Sequence, residues 1–151
     1  MNDRIAHRIR HTYWSRLAAL AIAIAGSVAA HAEDFPFLRQ GMWEFKRTVE
    51  GQGTGGKPEN IQNRKCVDPG AEMKKTNETL ARQGCTFSPL AKNGSSYSFS
   101  ADCQMQGVKM QSRSVIVVQS DSAYRVEVTS TGAGTSTKEL LIARRVGDCQ
   151  P

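Results

Sequence analysis

Four cysteines, three histidines and fourteen carboxylates are the side chains with which this chain could do chemistry. Their placement removes most of the options. His7, His11 and His31 fall in the first 32 residues, whereas Cys66, Cys85, Cys103 and Cys149 all come later. The opening stretch reads as a secretory leader. Arg4, Arg8, Arg10 and Arg16 stand against Asp3 alone, and an uncharged run follows from Leu17 to Ala30. Ala30-His31-Ala32 then puts small residues at the two positions that a signal peptidase reads. A spanning helix needs about 20 apolar residues, and this run is shorter, with polar sequence straight after it. Cleavage is expected between Ala32 and Glu33. No cysteine stands at that junction to carry a lipid, so no stable membrane insertion is expected after cleavage.

The expected organisation is therefore a signal peptide over 1–32 and a single small β domain over 33–151, periplasmic or secreted. That domain keeps no histidine. Imidazole bases, Ser-His and Cys-His nucleophile pairs and the commonest metal ligand go with the leader. The remaining carboxylates, among them Glu44, Glu72, Glu127 and Glu139, show no spacing that marks a carboxylate pair, and most fall where outward strand or helix residues belong. No metal site, cofactor or catalytic residue is expected, and the protein is not expected to be an enzyme. The leader also carries half of the net charge: four of the 20 Lys and Arg but one of the 14 Asp and Glu lie in it, so the net charge falls from +6 to +3 without it. A charge that small, spread evenly, points away from nucleic acid.

Four cysteines in an oxidising compartment read as two disulfides, and no Cys-x-x-C suggests a redox centre or a zinc knuckle. The elements around them set the pairing. Gly41 to Val49 alternates, with Trp43, Phe45 and Val49 on one face, as a half-buried strand does. A weaker strand covers about 60–67. Asp68-Pro69 opens a helix over about 69–83, with Asp68 as cap, Glu72 in the first turn and Met73, Leu80 and Ala81 as an apolar stripe. Strands follow over 85–90, 96–106, 108–119, 123–130 and 135–146. A hairpin turn is expected at Asn93-Gly94, and Gly107 and Gly132-Ala133-Gly134 mark later turns. About seven antiparallel strands and one short helix make a mainly β meander curled into a barrel or half-barrel. The Asn93-Gly94 hairpin places Cys85 nearly opposite Cys103, on the face of Phe87 and Phe99, which leaves Cys66 for Cys149. If the helix folds back on itself, Cys66 instead meets Cys85, and both pairings stay open at this point.

The order of these pieces resembles a known family. Gly41-Met42-Trp43-Glu44 opens the first strand after a leader, Cys66 follows the second strand, Gly84-Cys85 follows the helix, Cys103 is internal, and Arg144-Arg145-Val146-Gly147-Asp148-Cys149 ends the domain. Together they are similar to the exported bacterial family called domain of unknown function 3617, over the whole domain. The resemblance implies a small periplasmic or secreted β domain of a Gram-negative bacterium, and it implies no activity. Gly41-Met42-Trp43 also resembles the first strand of lipocalin-like barrels, in which a basic residue of the last strand covers the Trp ring. That likeness implies a structural cation–π pair of Trp43 with Arg144 or Arg145. The residues alone read more simply, with Trp43 in the core and the arginines solvated. A non-enzymatic binding module is expected, with a small apolar ligand held near Trp43, Phe45, Phe99 and Tyr124. The alternative is an envelope protein that docks to another envelope protein through a sheet edge.

Overall fold

The computed structural model describes residues 34–51 and 55–150. The leader, the Ala32–Glu33 junction and residues 52–54 lie outside the described residues. The strands are β1 (Gly41–Gly51), β2 (Glu59–Val67), β3 (Cys85–Phe87), β4 (Ala91–Asn93), β5 (Ser96–Met105), β6 (Val108–Ser120), β7 (Ala123–Gly132) and β8 (Thr135–Gly147), with helix α1 (Pro69–Arg82) between β2 and β3. One antiparallel sheet runs in the order β2-β1-β8-β7-β6-β5-β3, and β4 also pairs with β5. The first strand lies beside the last, so the meander has curled on itself. It does not close, because its two edges, β2 and β3, are not paired with each other. The fold is a half-barrel.

Eight strands stand where about seven were expected. The difference lies between Cys85 and Asn93. Pro89 has no N–H to give to a ladder, so pairing lapses around it. Ser88 bridges the gap twice: its N–H donates to the Ser100 carbonyl at 2.9 Å, and its hydroxyl accepts from the Ser100 N–H at 2.9 Å. Ala91 pairs with Ser98 but Phe87 pairs with Ala101, so four steps on one side oppose three on the other. This bulge puts Cys85 directly opposite Cys103. The hairpin loop is Gly94-Ser95, one residue past the expected Asn93-Gly94, since Gly94 takes the positive φ of +59° while Asn93 remains in the ladder.

Register assigns the inner face. Trp43, Phe45 and Arg47 of β1 pair with neighbours on β8 and β2, and the same face carries Ala143 and Leu141, then Tyr124 and Val126, then Ile116 and Ser114, then Phe99 and Ala101. At one end Trp43, Leu38, Val67, Ile116, Tyr124 and Ala143 make the buried core. Leu38 arrives there on the extended lead before β1. The lead is held by Arg39, whose N–H donates to the Asp121 carbonyl and whose guanidinium meets the Asp121 carboxylate, each at 2.8 Å. The Ser122 hydroxyl, which donates to Asp121 at 2.6 Å, and Arg39 hold that carboxyl below the usual carboxylate range.

Candidate functional site

Helix α1 crosses the open side of the half-barrel from one edge strand to the other. Its 14 residues reach about 21 Å at about 1.5 Å per residue. The start is fixed by sequence: the Asp68 carboxylate accepts from the Ala71 N–H at 3.1 Å, Pro69 occupies the first helical position, and Lys65 of β2 meets Glu72 at 3.0 Å. At the far end Gln83 caps the helix, and the Gly84 N–H donates to the Ala81 carbonyl at 3.2 Å. The inward stripe is Pro69, Met73, Thr76, Asn77 and Leu80. Ala81, expected on that stripe, is exposed, because it lies one step past Leu80 and a helix turns away by then.

Both helix ends are covalently anchored. Cys66, two residues before the cap, bonds to Cys149, and Cys85, two residues after Gln83, bonds to Cys103. The first bridge passes over β1, which lies between β2 and β8. The second sits on the inner face, where Cys103 joins the lining of the space under the helix. Of the two pairings open at the sequence level, the helix that crosses rather than folds back is the one that produces these bonds.

Between α1 and the sheet lies a cavity of about 500 Å³, within the usual range of small-molecule sites. Phe45, Phe87, Phe99, Val126 and Leu141 form its apolar walls, and Phe35 of the lead stands edge-on to Phe99 at 6.0 Å. Two ion pairs sit at its rim. Arg47 meets Glu139 at 2.5 Å, and Lys65 meets Glu72 at 3.0 Å. The bond to Glu139 raises the Arg47 guanidinium above its ordinary value, and burial raises the Tyr124 phenol. A larger concavity of about 630 Å³ lies on the outer face, but polar groups such as Asp102, Gln104 and Lys109 line it, and Gln111 already donates to Asp102 at 2.7 Å. Among the described residues no group of His, Cys, Asp and Glu could hold a metal ion.

Trp43 is 0% exposed and lies behind the cavity rather than in its wall. Its indole N–H donates to the Arg39 carbonyl at 3.0 Å, and Tyr124 and Phe45 cover the ring at 5.4 and 6.5 Å between centroids. The expected arginine partner is occupied elsewhere. Arg145, opposite Trp43, donates through Nε to the Gln40 carbonyl at 2.9 Å and through its other end to Asp148. Arg144 is exposed on the outer face, opposite Glu44. The cation–π contact among the described residues is instead Lys92 over Tyr97, 5.4 Å from the centroid. Gly41 owes its identity to Arg145: a Cβ there would stand 2.4 Å from Nε and 2.6 Å from the Gly147 carbonyl oxygen. On the outer face the Arg64 guanidinium beside Glu44 holds that carboxyl below its usual value.

The terminal Gly147-Asp148-Cys149 is thus a clasp: Asp148 takes Arg145, Arg145 lies across Gly41, and Cys149 takes Cys66. Residues 38–149, from the buried Leu38 to that last cysteine, match the family described as "Protein of unknown function (DUF3617)". The chain belongs to the DUF3617 family. No curated protein and no solved structure matches it. In this DUF3617 domain Phe45, Phe99 and Tyr124, of the four aromatic residues read from the sequence, line the cavity, and Trp43 does not. Sequence reasoning missed Phe35 and Leu38, on an extended lead with no periodicity to read. It also missed the Arg47–Glu139 pair, whose members are 92 residues apart.

Proposed function

We propose that this DUF3617 domain is an exported, non-enzymatic binding module that holds a small apolar ligand between α1 and the inner face of the sheet. The observation that carries the reading is the roofed cavity of about 500 Å³ with aromatic and aliphatic walls. The interior positions of small barrels are usually filled by side chains. Here one end is filled by Trp43, Leu38 and Ile116, and the rest stays open. The disulfides support an oxidising compartment, and the charge pattern before Ala32 supports removal of the leader there. Intact mass of protein recovered from a Gram-negative periplasm is expected to begin at Glu33 or within a few residues of it; full-length protein in the membrane fraction would reject export.

Binding is tested with N-phenyl-1-naphthylamine, an uncharged fluorophore that brightens in apolar surroundings. The folded domain is expected to bind it saturably at one site. Val126→Phe, which fills the middle of the cavity, is expected to reduce that binding at least about tenfold while the domain still melts cooperatively, at a cost of about 1–3 kcal/mol from overpacking. Wild-type protein that leaves the fluorophore dark would reject the reading.

A further inference from the structure

The chemical class of the ligand follows from how the cavity's polar groups are engaged, given the binding function proposed above. We propose that the site takes an uncharged amphiphile: an apolar body carrying one neutral hydrogen-bonding group such as an alcohol, ester or amide, and neither a fatty-acid anion nor an organic cation.

Four charged side chains line the cavity, and they cancel in pairs. Arg47 is held by Glu139 at 2.5 Å and Lys65 by Glu72 at 3.0 Å. An entering carboxylate or sulfonate would have to take a cation from its partner. The displaced Glu139, whose side chain is only 25% exposed, would then stand beside the apolar wall without its counter-charge and with a second anion next to it; Glu72, 48% exposed, would turn to water, so the cost falls mainly on the Arg47–Glu139 side. An entering cation meets the mirror-image cost. A ligand charge drawn in against the apolar walls loses water and finds no free partner, whereas one left at the half-exposed rim gains little from the pairs there.

The neutral polar groups are in the opposite condition. Ser112, Ser114 and Tyr124 contribute hydroxyls to the lining, and Asn77 contributes an amide from the helix roof. Their side chains hydrogen-bond no other described residue. Ser114 and Tyr124 are both buried residues, yet no fully buried side-chain polar atom in the described structure lacks a partner. Their hydroxyls must therefore reach the surface of the cavity. A hydroxyl both donates and accepts, so these groups suit a neutral head of either polarity.

The test compares matched ligands on the full mature domain. N-phenyl-1-naphthylamine and 8-anilinonaphthalene-1-sulfonate share their aromatic frame and differ by the sulfonate. Glycerol monododecanoate, dodecanoate and dodecylammonium share a chain and differ in head charge, and each is titrated to displace the bound neutral fluorophore. The neutral member of each set is expected to bind at least about tenfold more tightly than its charged counterparts. Ser114→Ala is expected to weaken glycerol monododecanoate about 2- to 10-fold, the worth of one hydrogen bond. Glu139→Gln releases Arg47 and is expected to raise the affinity for dodecanoate relative to glycerol monododecanoate. If the sulfonate or dodecanoate binds as tightly as its neutral partner in the wild type, the ligand class is overturned while the binding function stands. If no probe of any charge binds, the binding function itself falls, and the ligand class with it.

Discussion

Trp43→Ala is expected to lower the melting temperature by more than about 10 °C and to reduce the yield of folded protein. The indole is 0% exposed, packs on Tyr124 and Phe45, and spends its N–H on the Arg39 carbonyl. Removing a buried aromatic of this size costs about 3–5 kcal/mol. A small domain has about 5–15 kcal/mol in total, and for a chain of this length each kcal/mol moves the midpoint by several degrees. The Arg39 hydrogen bond adds a second consequence, because Arg39 holds the lead that carries Leu38 into the core. Trp43→Phe keeps most of the ring volume and loses only that bond, so its shift should be well under half as large. Thermal melts of both variants beside wild type decide the matter. A Trp43→Ala protein that melts with the wild type would refute the core role.

The second large effect is the loss of Cys66–Cys149. In the chain-entropy account, a bridge with a sequence separation of 83 restricts the unfolded chain far more than one with a separation of 18. The Cys66→Ser, Cys149→Ser double variant is expected to lose about 4–5 kcal/mol, and the Cys85→Ser, Cys103→Ser double variant about 3 kcal/mol. Urea midpoints measure both. The first loss takes most of the stability of a domain near the low end of the usual range. It also releases the end of the helix roof next to its cap, so binding of the neutral fluorophore should weaken even in the fraction that remains folded. A larger loss from the Cys85–Cys103 variant would contradict the loop-length argument.

How far the sequence carries can be seen at particular residues. The alternation of β1 put Trp43 and Phe45 on one face, and Asp68-Pro69 placed the helix start, because strand period and capping are local chemistry that acts wherever the chain goes. The terminal Arg145-x-x-Asp148-Cys149 was legible as part of a family pattern but not as a clasp. Its work depends on Gly41 and Cys66, which come beside it only when the last strand meets the first. The cation–π pair that the lipocalin likeness implied for Trp43 gives way to the plainer reading of a core indole for a related reason. Register does set Arg145 opposite the indole, yet the free carbonyl of Gln40 and the carboxylate of Asp148 offered its donors stronger partners.

By itself the sequence determined the two disulfide-bearing termini of one helix, the antiparallel meander and the absence of histidine after residue 31. Each of these depends on residue type or on spacing within a single element. Only the tertiary structure decided that the meander stays open, that Pro89 shifts the register by one residue so that Cys85 meets Cys103, and that α1 roofs the gap instead of folding back. The cavity and its paired charges belong to the same group. They are properties of the space between elements far apart in the chain, and that space exists only once strand curl, helix length and the two covalent anchors have been satisfied together.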